Sequence, residues 1–303
     1  MKKACTFCQT GGKQLEGREK LINEDFAYTS EDGKIAILMD GATGLGGPKS
    51  INGLTSAEWY VKIVSDYLKI ALLDYSEDLK TIIKNAVKVA KKEIKNYEME
   101  NGIKFKYFEE PSASLSIYRE KEDNNGKKMI EIYEIGDSKV AVQYKDGRIE
   151  KLYNQNELNI GKLDSSVIKR MEEIAIESGR NVVDTRNDDE IQKMLKINRE
   201  KKNTPNGYYI LGTSEEAVDK GIMYEYDKEN IRQVLLFSDG FNYEIIGLTL
   251  NDIIENLNTE QSIEKIIKEI RDFEGKDIGC NRYPRLKASD DLSVILIGEW
   301  LSE

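Results

Sequence analysis

The stretch FAYTSEDGKIAILMDG, residues 26–41, carries the pattern on which the fold turns. Phe26 to Ser30 and Lys34 to Met39 are two strand-like pieces, and Glu31-Asp32-Gly33 between them has the composition of a hairpin turn. The second piece runs as unbroken apolar Ile35-Ala36-Ile37-Leu38-Met39 straight into Asp40-Gly41. Two helical patterns follow. Ser56 to Leu73 places Tyr60, Ile63, Val64, Tyr67, Leu68 and Ala71 on one stripe, and residues 77–100 do the same with Leu79, Ile82, Ile83, Ala86, Val87, Ala90, Ile94 and Tyr97. Strand patterns return near 112–119, 129–135, 139–144 and 148–152. Residues 164–203 predict polar helices with weak stripes, either a solvated pair or an insertion that covers something, with the insertion bounded at about 164–221. Strand signals at Tyr208–Leu211 and Gln233–Ser238, helices at Leu250–Leu257 and Ser262–Phe273, and a last strand at Leu292–Gly298 complete the chain. Helices arrive in pairs between groups of strands, without single alternation, and this predicts an α+β layered fold with antiparallel sheets. No internal repeat or Ser/Gly-rich linker divides it, so residues 1–303 read as a single domain.

The composition narrows the chemistry. At 303 residues, roughly 75% of the unfolded surface can be buried, enough for a full core. Forty-five Lys+Arg against 55 Asp+Glu give a net charge of −10, which argues against a nucleic-acid or anionic-membrane binder. The N-terminal MKKACTFCQTGG lacks the apolar run of a signal peptide, no stretch approaches 18 apolar residues, and three cysteines cannot all pair. Together these predict a cytoplasmic protein. The chain has no histidine, which excludes Ser-His-Asp triads, His-ligated zinc and histidine acids.

Acidic residues stand at the ends of apolar strands. Asp40-Gly41 ends the strand Ile35–Met39, Asp239-Gly240 follows Val234–Ser238, and Gly136-Asp137-Ser138 follows Ile132–Ile135. Ser289-Asp290-Asp291 precedes Leu292–Ile297, and Asn23-Glu24-Asp25 precedes the strand at Phe26. Any one of these alone is an ordinary strand-ending turn. Together they can meet at one sheet edge, where carboxylates repel unless protonated or shared by a cation, and oxygen-only clusters suit Mg²⁺ or Mn²⁺. Competing motifs fail. Gly41 to Ser50 resembles a phosphate-binding loop, but Pro48 interrupts the spacing and removes an N–H. Ala42 replaces the second aspartate of a haloacid-type phosphatase, and no cysteine has arginine six residues later. Cys5-Thr6-Phe7-Cys8 has no second pair, so it reads as strand and not as zinc site.

In order along the chain, Asn23-Glu24-Asp25, Asp40-Gly41, Pro111-Ser112-Ala113-Ser114-Leu115, Gly136-Asp137-Ser138, Ser238-Asp239-Gly240 and Asp290-Asp291-Leu292-Ser293-Val294 resemble the metal-dependent protein phosphatases of type 2C, bacterial members included. The agreement runs from about Lys20 to the last strand. The resemblance implies a four-layer α/β/β/α architecture, a β-sandwich of two antiparallel sheets flanked by pairs of antiparallel helices. It implies hydrolysis of phosphoserine and phosphothreonine with two Mg²⁺ or Mn²⁺ ions and a third in bacterial relatives. Carried over by position, Asp40 bridges two metals, Glu24 and the Gly41 carbonyl complete one, Asp239 and Asp290 hold the other, and Asp137 with Asp239 takes the third. The partner implied is a phosphorylated protein, the opponent a Ser/Thr kinase, and the expected state a monomer free of nucleic acid and membrane.

Three positions depart from the family. Lys20 stands four residues before Glu24, where an arginine usually clamps phosphate, with Arg18 two residues earlier as the alternative clamp. Ala42 follows the Asp-Gly where histidine is common, so a metal-bound water or another side chain must protonate the leaving group. Asp291 replaces the usual asparagine. The rival reading is a pseudophosphatase, the same fold used as a regulatory binding module; a third is a phosphatase of small phosphoesters.

Overall fold

In the computed structural model, residues 4–13, 19, 21–46, 50–123, 125–257 and 259–298 are described. The chain order is β1 (Ala4–Gln9), β2 (Asp25–Thr29), β3 (Ile35–Ala42), α1 (Ser56–Ala71), α2 (Leu79–Asn101), β4 (Ser112–Glu122), β5 (Lys128–Ile135), β6 (Lys139–Tyr144), β7 (Ile149–Lys151), α3 (Gln155–Ser178), α4 (Asp189–Glu200), α5 (Glu216–Asp219), β8 (Ile222–Asp227), β9 (Ile231–Phe237), α6 (Leu250–Asn256), α7 (Glu260–Lys276) and β10 (Leu292–Gly298). Two antiparallel five-stranded sheets result, ordered β1-β10-β9-β6-β7 and β2-β3-β4-β5-β8.

Strand alternation builds the layers. In β3, Ile35, Ile37 and Met39 pack under α1 and α2, while Ala36 and Leu38 face the other sheet. The inter-sheet layer is closed by Tyr118, Ile130, Ile132, Val140, Val142, Val234, Leu236, Ile295 and Ile297. The second sheet's outer face, with Leu235, Phe237, Val294 and Leu296, is covered by Ile253, Ile254, Ile263, Ile267 and Ile270 of α6 and α7. The four-layer sandwich expected from the sequence is therefore what forms. Truncating one of these fully buried aliphatics to alanine costs about 2–5 kcal/mol in such a core.

Local signals explain the element ends. Thr55 caps α1 through a reciprocal pair with Glu58, and Asp78 caps α2 by accepting from the Thr81 N–H. The Glu31-Asp32-Gly33 turn forms as expected, with the Gly33 N–H donating to the Ser30 carbonyl at 2.9 Å.

Three segments differ from expectation. Helix α3 begins at Gln155 and runs through Gly161, a residue that reads as a breaker in an isolated sequence. Tyr208–Leu211 makes only isolated bridges, Lys202 with Tyr208 and Ala113 with Leu211, so it is a tether and not a strand. The fifth strand of its sheet is β8, pairing Ile222 to Asp227 against β5. Helices α3 and α4 carry a separate small core of Val167, Met171, Ala175, Val182, Ile191 and Cys280.

Candidate metal centre

At one edge of the sandwich the inter-sheet faces end in acids. Asp40 follows Ala36 and Leu38 in the alternation and pairs in register with Asp25 of β2 on one side and Ser114 of β4 on the other. The Ser238 hydroxyl donates to Asp25 at 2.8 Å and accepts from the Ser293 N–H at 2.9 Å, joining the two sheets beneath Asp239. Gly240 permits this crossing, because a Cβ there would lie 1.9 Å from the Asp291 carbonyl oxygen. Asp137 follows a left-handed Gly136 (φ 88°), whose missing Cβ leaves room for Ser114. The Ser114 hydroxyl donates to the Asp137 carboxylate and accepts from its N–H at 3.1 Å.

Asp291 is a tether. Its carboxylate accepts the Gly11 and Glu24 N–H groups, each at 2.7 Å, and so pins the start of β2 to the start of β10. The departure from asparagine therefore brings a structural acid, not a loose charge. The buried Glu24 carboxylate accepts from the Thr43 hydroxyl and from Lys13 Nζ at 3.2 and 3.3 Å. The Gly41 N–H donates to the Glu24 carbonyl at 3.1 Å.

The electrostatics report the crowding. Burial first, then Asp25, Asp239, Asp137 and Asp290, push Asp40 well above the usual carboxylate range. Asp25 is likewise raised by burial, opposed by the Ser238 bond and reinforced by Asp291, Asp239 and Asp290. Water reaches the Asp239 side chain, yet the protein walls of the recess and the Asp290 and Asp137 charges raise it to about 6. Asp164, on α3, also faces this group; burial, Asp137 and Asp239 hold it at about 7. Cations answer them in part, Lys287 and Lys139 at Asp239 and Arg199 at Asp164. Lys287 Nζ donates to both Asp290 oxygens at 2.7 Å, and its charge also acts on Asp239 and Asp40.

Asp40, Asp137, Asp239 and Asp290 are thus brought together, with Glu24 and Gly41 held at the flank. Lys20 and Arg18, the two expected phosphate clamps, lie outside the described residues, as do Pro48 and Lys49 of the phosphate-loop look-alike. The sequence places Asn23-Glu24-Asp25 among the acids that can meet here but gives Asp25 no role, and it does not point to Asp164 or Lys287. Among the described residues no three carboxylates or thiols stand preassembled as a ligand cluster. Asp290 is turned to Lys287, Asp137 to Ser114, and Glu24 to Lys13 and Thr43. The donor set nevertheless fits a hard divalent cation: it is oxygen-only, strongly anionic and self-repelling.

A family model described as protein phosphatase 2C matches residues 16–288. A comparison with curated proteins finds no match. Among solved structures, the Mycobacterium tuberculosis serine/threonine phosphatase PstP/Ppp is 16% identical, with 99% of each chain covered and a TM-score of 0.52. The PstP catalytic domain in complex with two manganese ions is 16% identical over 98% of this chain and 97% of that one, with a TM-score of 0.52. Stp1 from Staphylococcus aureus is 17% identical over 99% and 95%, with a TM-score of 0.50.

Proposed function

The chain belongs to the protein phosphatase 2C family, and we propose that it is a metal-dependent serine/threonine protein phosphatase using the acidic recess at the sandwich edge. One observation carries the reading: carboxylates from four separate strand ends, Asp40, Asp137, Asp239 and Asp290, repel one another in a single recess. Asp40 would be shared between two divalent cations, with Glu24 and the Gly41 carbonyl on one and Asp239 and Asp290 on the other. Asp137 would serve a third, weaker ion. When bound, such a pair supplies Lewis acidity and an activated water.

The chain's own groups do the rest. Ser238 orients Asp25 beside Asp40, and Ser114 fixes the rotamer of Asp137. The Asp291 tether sets the position of the Glu24 backbone. Asp40 and Asp239, whose carboxyls are raised, would have to be ionised to hold a cation, so ligand deprotonation and loading would be coupled. The substrate of this reading is a phosphoprotein and its opponent a Ser/Thr kinase. The protein acts as a cytoplasmic monomer, with residues 164–221 as a flap over the recess. No helix among the described residues is long and apolar enough to cross a membrane.

The test is hydrolysis of an aryl phosphate and a phosphothreonine peptide with Mn²⁺, Mg²⁺ or chelator. Asp239→Asn keeps size and removes a ligand charge, so turnover should fall by orders of magnitude with an unchanged fold by circular dichroism. Unchanged turnover in that variant, or full activity in excess EDTA, removes the mechanism and leaves the pseudophosphatase or another chemistry.

A further inference from the structure

The stretch from the start of α3 to β8 contains four arginines, and they fall into two kinds. Arg170 and Arg180 are spent on the surface: Arg170 grips Glu190 at 2.8 and 3.0 Å, and Arg180 reaches Asp188 at 2.9 Å. Among the described residues, neither Arg186 nor Arg199 has a carboxylate within ion-pair distance. Arg186 sits in the short 3₁₀ turn Val183–Asn187, and its buried Nε has no hydrogen-bond partner. The charges that act on its guanidinium are Asp290, Asp164 and Arg199, so it faces the acidic recess. Arg199, on α4, donates to the Ser112 hydroxyl at 3.1 Å and to the Thr43 carbonyl at 3.3 Å. Both partners belong to the rim: Ser112 pairs with Ala42, and Thr43 donates to Glu24. Arg199 therefore fastens α4 to the edge of the recess and adds a second guanidinium there that touches no carboxylate among the described residues.

The two guanidiniums repel each other, the acids of the recess act on them only from beyond contact distance among the described residues, and a buried N–H without an acceptor is costly. An anion between them and the recess would satisfy both. We propose that Arg186 binds the phosphoryl group of the substrate, with Arg199 as the positioning residue that holds the wall from which it reaches. The proposal rests on the phosphatase reading above. A guanidinium fork offers two parallel N–H donors, from Nε and a terminal nitrogen, that match two phosphate oxygens, and its charge persists beside the carboxylates because it does not deprotonate. It also assigns the clamp to the segment over the recess, whereas the sequence suggested Lys20 or Arg18.

The experiment titrates inorganic phosphate into the full-length, Mn²⁺-loaded protein by calorimetry, alongside aryl-phosphate kinetics. Arg186→Ala should weaken phosphate binding about tenfold, the size of a lost charged hydrogen bond in a wet site, and should raise KM more than it lowers kcat. Arg186→Lys should retain part of that affinity, and Arg170→Ala, whose guanidinium is engaged with Glu190, should bind phosphate like wild type. Arg186→Ala that binds phosphate like wild type overturns the proposal, as does a variant impaired only on phosphopeptides, which would mean that Arg186 reads flanking residues. The two readings fail separately. A wild type that binds phosphate through Arg186 without hydrolysing esters supports the clamp and sinks the phosphatase reading. An active wild type with an indifferent Arg186 does the reverse.

Discussion

Replacing Lys287 with methionine should move metal affinity and metal-free stability in opposite directions. Lys287 Nζ holds both oxygens of Asp290 at 2.7 Å, and its charge also favours ionised Asp239 and Asp40. An ammonium and a divalent cation cannot occupy the same two oxygens, so loading must break this pair. The side chains are 42% and 32% exposed, which places the pair nearer a surface ion pair, at about 0.2–1 kcal/mol, than a buried one. The two further carboxylates within its field raise that to roughly 1–1.5 kcal/mol, the free energy of about a fivefold to tenfold change in affinity. Lys287→Met should therefore bind Mn²⁺ about five to ten times more tightly by calorimetry on EDTA-stripped protein. The stripped variant should melt lower by roughly 2–4 °C, because its carboxylates have lost their internal cation. Lys268→Met, which breaks an exposed i,i+4 pair with Asp272, is the control. Weaker or unchanged Mn²⁺ binding in Lys287→Met would refute the reasoning, since it would show that the ammonium never competes for the site.

Two further outcomes concern the scaffold. Glu134 lies between the sheets with neither carboxyl oxygen hydrogen-bonded, opposite Ser116, whose hydroxyl is also unpartnered. Burial first, then Glu157, hold its carboxyl well above the ordinary glutamate range, so its contribution to stability is complete below the unfolded-state pKa and is lost as pH rises through the raised one. Glu134→Gln should flatten that alkaline decline in urea melts; parallel decline in both proteins would show that another group is responsible. Arg119 is buried against Glu131 at 2.8 and 2.9 Å and donates to the Asp74 and Glu77 carbonyls at 3.3 and 3.0 Å. Glu131→Ala should cost about 3–5 kcal/mol by chemical denaturation, whereas Arg119→Met with Glu131→Met should cost much less; equal losses would deny that the stranded guanidinium is the cause.

The layers were legible because each rests on a local pattern. The stripe Ile82, Ile83, Ala86, Val87, Ala90 and Ile94 reads as a helix in isolation and is buried as one. Strand β8 escaped notice because Ile222-Met223-Tyr224-Glu225-Tyr226-Asp227 is half-exposed along its length and sits at a sheet edge. Tyr208–Leu211 was misjudged for the opposite reason. Its apolar residues pack against β4 and α3, yet it makes only two isolated bridges, to Lys202 and to Ala113, and so never becomes a ladder.

The same contrast divides the recess. Asp40, Asp137, Asp239 and Asp290 were readable because an apolar strand of fixed rise delivers each to one edge, and strand direction alone dictates which edge that is. Asp25 needed one step more, the register that sets it opposite Asp40, and register follows from pairing and not from composition. The cations had no comparable signal. Lys287 and Arg186 sit on long side chains in a loop and a 3₁₀ turn, two among 45 basic residues, in segments whose apolar periodicity is weak. What distinguishes them is the charge that surrounds them, and that field exists only after the acids have assembled. A recess of converging strand ends therefore announces its ligands in the sequence, while the groups that compete with or complement the cations must be found in the folded chain.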